Sequence, residues 1–450
     1  MRARVPVRGV PERSPRRAHR EDRPHRGRGG PRLSLTLDAR ERAMLSGDAG
    51  PGTAFAMRLV VRAAEVLGAD RLIPISLYHG EATRDFAARL AEGGTRVAVP
   101  TSLNVGLVDL LHPGLWRGAP DAAERGRRLM ESYRALGCRQ TFTCAPYQVP
   151  EARPAFGEQV AWAESNAIVF CNSVIGARTN RYGDFIDVAC AVAGRAPDAG
   201  LHRTDARRGR LVLRLGPDVL PALQHEDSFY PVLGIVLGRR AGTTVAVLDG
   251  LPAALSEDRL KALGAAAASS GSVALFHAVG STPEASSLEA ALGHEPPEAT
   301  EVINFAELRA TWAELTSAEG DLPLRAVSIG TPHASLAEIE ALAELLGSSG
   351  PAAGVELLIS TGRDVLELAE ERGLAARLGG ADVEILVDTC SYIAPVLRPG
   401  TGAVMTDSAK WAYYAPGNIG ADVVFGTTAE CVASAVAGRV VRLRSPWEAA

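Results

Sequence analysis

The stretch Val383-Glu384-Ile385-Leu386-Val387-Asp388-Thr389-Cys390 decides how the chain is read. A short β-branched apolar run ends in small polar residues and a thiol, as a buried strand does when it delivers side chains to a loop. The same pattern recurs in Ala326-Val327-Ser328-Ile329-Gly330-Thr331-Pro332-His333 and in Glu356-Leu357-Leu358-Ile359-Ser360-Thr361. Further upstream it is read in Arg96-Val97-Ala98-Val99-Pro100, in Gly137-Cys138-Arg139-Gln140-Thr141-Phe142-Thr143-Cys144 and in Ala167-Ile168-Val169-Phe170-Cys171. Strands alternating with helical stretches imply α/β architecture with parallel sheets, whose ligands bind beyond the carboxyl ends of the strands.

Outside these runs the punctuation is clear in places. Asp38, with Glu41 three positions on, is a helix N-cap signature. The helical pattern of residues 37–67 is broken by Gly50-Pro51-Gly52. Arg71-Leu72-Ile73-Pro74-Ile75-Ser76-Leu77-Tyr78 reads as a short strand that delivers His79 to a loop, and Pro74 places it at a sheet edge. Residues 156–163 read as helix, with Glu164 and Ser165 at its carboxyl end. Residues 194–209, rich in Arg and Asp, read as a surface linker, and residues 281–300 as an irregular connection. These suggest units at 34–200, 210–290 and 300–442, with a tail at 443–450.

Charge is uneven. Residues 1–32 carry 11 Arg against 3 acids, leaving 37 basic and 49 acidic side chains for the rest of the 450. The Pro- and Gly-rich segment 1–33 is expected to be disordered. It reads as a basic arm or as a dispensable extension. No apolar run spans a bilayer, and no apolar core follows the basic amino end as a secretory signal requires. A soluble, cytoplasmic protein without nucleic-acid or membrane partners is expected.

Six cysteines, at 138, 144, 171, 190, 390 and 431, form no CxxC pair, which argues against a zinc ribbon. They read either as inert core residues or as a metal site assembled from distant loops. Cys144, Cys171 and Cys390 each follow an apparent strand, so they are the candidates for an iron–sulfur site with one open iron position. Lys261 and Lys410 are the only lysines, so each is a candidate for a place that needs a compact ammonium. Glu164 beside Ser165 suits proton transfer. Arg178 either pairs with a carboxylate or fixes its loop. His79, His277 and His333 follow strand ends, where structural histidines are the ordinary finding.

An ordered set of segments carries a family resemblance over residues 35–442. It includes His79-Gly80, Thr101-Ser102-Leu103-Asn104 and Thr143-Cys144-Ala145-Pro146-Tyr147. It continues through Trp162-Ala163-Glu164-Ser165, Asn172-Ser173-Val174-Ile175-Gly176-Ala177-Arg178, Gly330-Thr331-Pro332-His333, Asp388-Thr389-Cys390 and Ser408-Ala409-Lys410. Together these resemble the large subunit of aconitase X. The resemblance implies an aconitase-like core of three α/β domains without the swivel domain, a separate small swivel subunit, and a hydro-lyase reaction on a small hydroxy acid. It implies an iron–sulfur cluster, [2Fe-2S] or [4Fe-4S], on Cys144 and Cys390. Archaeal members have a third Cys where this chain has Thr331, so Cys171 is the expected third ligand. Substrate contacts are implied at Gly80, Glu81, Ala82, Asn104, Val105, Glu164, Ser165, Arg178 and Lys410, and catalytic roles at Glu164, Ser165, Lys410 and His79. Glu81 suits a ring ammonium better than a phosphate. The expected reaction is therefore dehydration of cis-3-hydroxy-L-proline to 1-pyrroline-2-carboxylate. Dehydration of mevalonate 5-phosphate is the alternative, and a non-catalytic scaffold the alternative of another class.

Overall fold

The computed structural model describes residues 35–80, 84–183, 185–320 and 322–448; of residues 78–80, 84, 85 and 92 it describes the backbone only. The amino-terminal segment 1–33 therefore lies outside the described residues.

The described chain is α/β, with three parallel sheets. The first joins β2 (Tyr78–Gly80) to β3 (Thr101–Leu103) and β4 (Ala161–Trp162), in the order β3-β2-β4. Beside it, β1 (Leu72–Pro74) and β5 (Arg195–Pro197) form an antiparallel pair, so Pro74 sits on a two-stranded edge, and the run 71–78 is not one strand: it breaks after Pro74, and Tyr78 opens β2 in the parallel sheet. The second sheet has the order β8-β7-β6-β9, from β6 (Leu211–Leu215), β7 (Ala246–Asp249), β8 (Phe276–Ala278) and β9 (Ala299–Ile303). Because β9 pairs with β6, this unit runs past residue 300. The third sheet, β12-β11-β10-β13-β14, uses β10 (Leu324–Ala334), β11 (Glu356–Thr361), β12 (Val383–Leu386), β13 (Ala403–Thr406) and β14 (Val423–Phe425).

The strands β10, β11 and β12 fall where the apolar runs placed them. The side chains of β10 and β11 are almost continuously buried, as helices on both faces of a parallel sheet demand. The capping box at Asp38 and Glu41 forms and starts the helix Ala39–Ser46, and a second helix, Pro51–Leu67, begins after Gly50. Such a cap stabilises its helix by about 1 kcal/mol.

Four local readings are corrected. Residues 96–100 form no strand: Val97 and Ala98 donate their N–H groups to the carbonyls of Leu136 and Ala191 in loops and helices, and the ladder starts at Thr101. Residues 137–144 also form no strand beyond the single bridge of Arg139 to Ser102. Residues 194–209 are not a surface linker. They contain β5 and bury His202 and Arg207, the latter in an ion pair with Glu284 and a hydrogen bond to Asn172.

The fourth correction matters most. The stretch 156–175 is the reverse of its reading: a strand, β4, precedes Glu164, and a helix, Ser165–Phe170, follows it. The Glu164 carboxylate caps that helix by accepting the Asn166 N–H at 2.7 Å. The run Ile168-Val169-Phe170 is buried all round, so it carries no amphipathic period to tell helix from strand.

Candidate functional site

Four strands of the third sheet hand side chains to one edge. His333 lies near the carboxyl end of β10, Arg363 follows β11, Asp388 and Cys390 follow β12, and Lys410 follows β13. From the first sheet, Asn104 follows β3 and Glu164 follows β4. Cys144, from the loop after Thr143, meets them. The Thr143 N–H is held by the Leu103 carbonyl at 3.0 Å.

At the centre are Cys144, His333 and Cys390. Their ligand atoms lie within 4.8 Å of one another, and all three residues are buried. The His333 backbone N–H donates to Cys144 Sγ at 3.3 Å. The imidazole Nδ1 shares a hydrogen bond with Thr143 Oγ1 at 3.0 Å, and Nε2 lies 3.0 Å from the Thr389 carbonyl and 3.9 Å from Cys390 Sγ. Gly330, just upstream, has φ +84°, and a Cβ there would come within 2.2 Å of the Ser360 carbonyl. Only glycine lets β10 approach β11 so closely at that point.

Burial alone would push the Cys144 thiol up. The hydrogen bond from Cys390 and the nearby His333 and Lys410 outweigh it and bring Cys144 down to about 6. Cys390, as the hydrogen-bond donor of the buried pair, is pushed well above the usual thiol range. The surroundings thus favour the thiolate at Cys144 over Cys390. The other four cysteines all move up through burial, Cys138 to about 12.

Two soft sulfurs and an imidazole suit iron or an iron–sulfur group, and three protein donors leave a coordination position free. A second observation agrees. The side-chain oxygens Thr331 Oγ1, Thr389 Oγ1 and Asn104 Oδ1 are buried without a hydrogen-bond partner in the described chain. Each stands within two residues of His333 or Cys390, or beside Leu103, which holds the Cys144 loop. A buried polar atom without a partner costs about 1–3 kcal/mol, so three around one centre fit a space that binds something polar.

Lys410 stands beside this group. It is the second residue of the helix Ala409–Ile419, capped by Ser408, whose hydroxyl also donates to the Thr331 carbonyl. Its ammonium donates to Glu164 Oε1 at 2.5 Å and to Asn166 Oδ1 at 2.8 Å. Asn166 Nδ2 in turn donates to the Cys144 carbonyl at 2.8 Å. Burial works against the charged amine, but the carboxylate of Glu164 overcomes it and raises Lys410 well above the ordinary lysine range.

Of the expected site residues, Cys144, Cys390, Glu164 and Lys410 come together, with Asn104, Val105 and Ser165 on adjoining strand ends. Cys171 does not join the group. It opens a π-helical turn, Cys171–Ile175, and packs in an apolar cluster with Tyr147, Trp162 and Phe170. Arg178 spends its guanidinium on the His202 carbonyl at 3.2 Å and Thr204 Oγ1 at 2.8 Å, so it fixes a loop. Glu81 and Ala82 lie outside the described residues, as does the side chain of His79, and Gly80 is described by its backbone. Two members were missed. His333 was indistinguishable from a structural histidine in sequence, and only its place after Pro332 hinted at a turn. Asn166 sat beside a flagged pair but in an element read the wrong way round.

Models of the three aconitase X domains match the chain in order: the first domain at residues 34–205, the second at 209–313 and the third at 324–437. The chain belongs to the aconitase X family. It is 41% identical over 423 residues to a cis-3-hydroxy-L-proline dehydratase of Pseudomonas aeruginosa, covering 91% of this chain and 71% of that one. It is 40% identical to the protein of the same name from Hypocrea jecorina, over 90% and 69% of the two chains. The phosphomevalonate dehydratase large subunit of Methanosarcina mazei is 34% identical, over 90% of this chain and 98% of its own. The crystal structure of Thermococcus kodakaraensis aconitase X in its holo form superposes with a TM-score of 0.79 at 29% identity, covering 89% of this chain and all of that one. Among the described residues, no helix is long and apolar enough to cross a membrane.

Proposed function

We propose that this aconitase X chain is the large subunit of a hydro-lyase that dehydrates cis-3-hydroxy-L-proline to 1-pyrroline-2-carboxylate, and that it works with a separate small subunit of swivel type. The observation that carries the chemistry is the link from Lys410 through Asn166 to the backbone of Cys144, which sets a carboxylate-binding ammonium beside a thiolate–imidazole group. The substrate choice is supported by the two relatives of that name at 41% and 40% identity, against 31–35% for the phosphomevalonate dehydratase large subunits. The separate subunit is supported by the relatives named large subunits, one of which this chain matches at 34% identity over 90% of its own residues.

Cys144, His333 and Cys390 would hold iron or an iron–sulfur cluster, which when bound supplies a Lewis acid for the substrate hydroxyl. The chain's own residues do the rest. Lys410 pairs with the substrate carboxylate and takes it in exchange for Glu164 Oε1. Neutralising that carboxylate makes the adjacent carbon more acidic. Glu164 stays anchored through Oε2 on the Asn166 N–H, so the released Oε1 is a base of fixed position. The α-proton passes to Glu164 Oε1, the β-hydroxyl leaves as water with a proton from the donor, the proton on Glu164 is handed back to that donor, and the cyclic enamine tautomerises to the imine. Ser165 and His79 are the proposed proton donors to the leaving hydroxyl.

The test is an assay of the chain with a small swivel-type subunit on both candidate substrates. Turnover of cis-3-hydroxy-L-proline is expected. Turnover of mevalonate 5-phosphate alone would overturn the substrate assignment.

A further inference from the structure

Two residues with side chains sit in the left-handed backbone region beside the thiols. Phe142, with φ +38°, stands two positions before Cys144, and Asp388, with φ +62°, two positions before Cys390. Such a conformation is strained for a residue with a side chain, by about 1–3 kcal/mol, and persists only where the surroundings enforce it. Here one side chain touches both. Arg363 donates from Nε to Asp388 Oδ1 at 2.5 Å and from a terminal nitrogen to Oδ2 at 2.6 Å. Its guanidinium carbon lies 5.5 Å from the centre of the Phe142 ring.

Asp388 also gathers the loop after β3. Its Oδ2 accepts the Leu110 N–H at 3.0 Å and its carbonyl accepts the Gly106 N–H at 2.7 Å. Asp109 returns the contact by accepting the Val387 N–H at 3.0 Å. The Cys144 loop is tied to β3 of the first sheet and the Cys390 loop follows β12 of the third, and the guanidinium of Arg363 reaches both.

We propose that Arg363 is a positioning residue that holds the Phe142 and Asp388 turns together and so fixes how Cys144 and Cys390 face a common metal. It rests on the reading of Cys144, His333 and Cys390 as a metal group. The clamp touches no ligand atom, so its effect falls on metal affinity and on the electronic signature of the bound metal.

The single change Arg363→Met leaves the fully buried Asp388 charge unpaired and invites unfolding. The double variant R363M/D388N removes that charge. Asn tolerates the left-handed region, so the turn keeps its residue preference but loses its clamp. Anaerobic titration of the full chain with cobalt(II), read by the thiolate-to-cobalt charge-transfer band, measures the outcome. Arg240→Met is the control, because Arg240 also pairs with carboxylates at similar exposure but far along the chain, at Glu301 and Glu307. The double variant should bind cobalt about 10–100-fold more weakly with an altered band, as losses of outer-shell partners do, while R240M binds as wild type. Equal affinity and an unchanged band in R363M/D388N would overturn the clamp, as would equal weakening in R240M. A wild-type chain that shows no thiolate–cobalt band at all would instead overturn the metal reading on which the clamp rests.

Discussion

The loops of Cys144 and Cys390 and the helical turn of Cys171 look alike as sequence and differ in the charges and hydrogen bonds around their thiols. All three cysteines follow β-branched or aromatic residues, and all three are buried. Cys144 and Cys390 each lie two positions after a left-handed residue, within reach of an imidazole and an ammonium, and the thiolate is favoured at Cys144. Cys171 sits in a helix beside Phe170, whose ring stacks on Tyr147 at 3.7 Å, and burial there pushes its thiol up. Burial thus does not decide whether a cysteine is reactive; the charges and hydrogen bonds buried with it do.

The largest expected effect separates the charged site from its surroundings. Lys410→Met should lower kcat by about 10²–10³-fold, the usual cost of removing a preorganised charge donor, and Lys410→Arg should not restore it. Cys171→Ala should leave kcat within about twofold. Steady-state kinetics of the three variants checks this, and a Cys171→Ala enzyme as impaired as Lys410→Met would erase the distinction.

Next comes the contrast between the two lysines. Lys261 is as buried as Lys410 but is held by two carboxylates, Asp258 at 2.9 Å and Glu338, which also forms the capping box of the helix Leu336–Leu346. Lys410 has one carboxylate partner, Glu164. Lys261→Met leaves those acids uncompensated and should cost roughly 3–5 kcal/mol of stability, measured by denaturant unfolding. An unchanged unfolding midpoint would show that the pair contributes nothing.

The same lysines set the alkaline limit. Both have folded-state values above the ordinary lysine value near 10.5, Lys410 by the larger margin. Their stabilisation is therefore fully present below about 10.4 and is lost as pH rises through the higher folded values. Unfolding free energy should fall above pH 10.5, with a shallower slope in Lys410→Met than in Lys261→Met. The reverse order would contradict the assignment of the stronger field to Glu164.

The smallest effect belongs to the apolar cluster. Cys171→Ala should destabilise by roughly 1–2 kcal/mol, as ordinary core truncations do, visible as a modest drop in thermal midpoint.

The parallel sheets and the delivery of Cys390 and His333 to strand ends were legible because β10, β11 and β12 are short, β-branched and flanked by polar turns. Glu164 and Lys410 were legible from residue type and scarcity. The segment 156–175 was not, because a helix buried on all sides has lost the period that marks it. The role of His333 was hidden as well. It depends on a loop 189 residues earlier in the chain, where Cys144 accepts its N–H. Arg363 carries no local signal at all, since its partners lie 25 positions downstream, at Asp388, and far upstream, at Phe142.

In the proposed metal group His333, and not Cys171, stands with Cys144 and Cys390. Iron per chain after anaerobic purification tests it directly in two variants. Cys171→Ala should retain the wild-type iron content and His333→Ala should lose most of it. Iron lost from Cys171→Ala and kept in His333→Ala would contradict the claim.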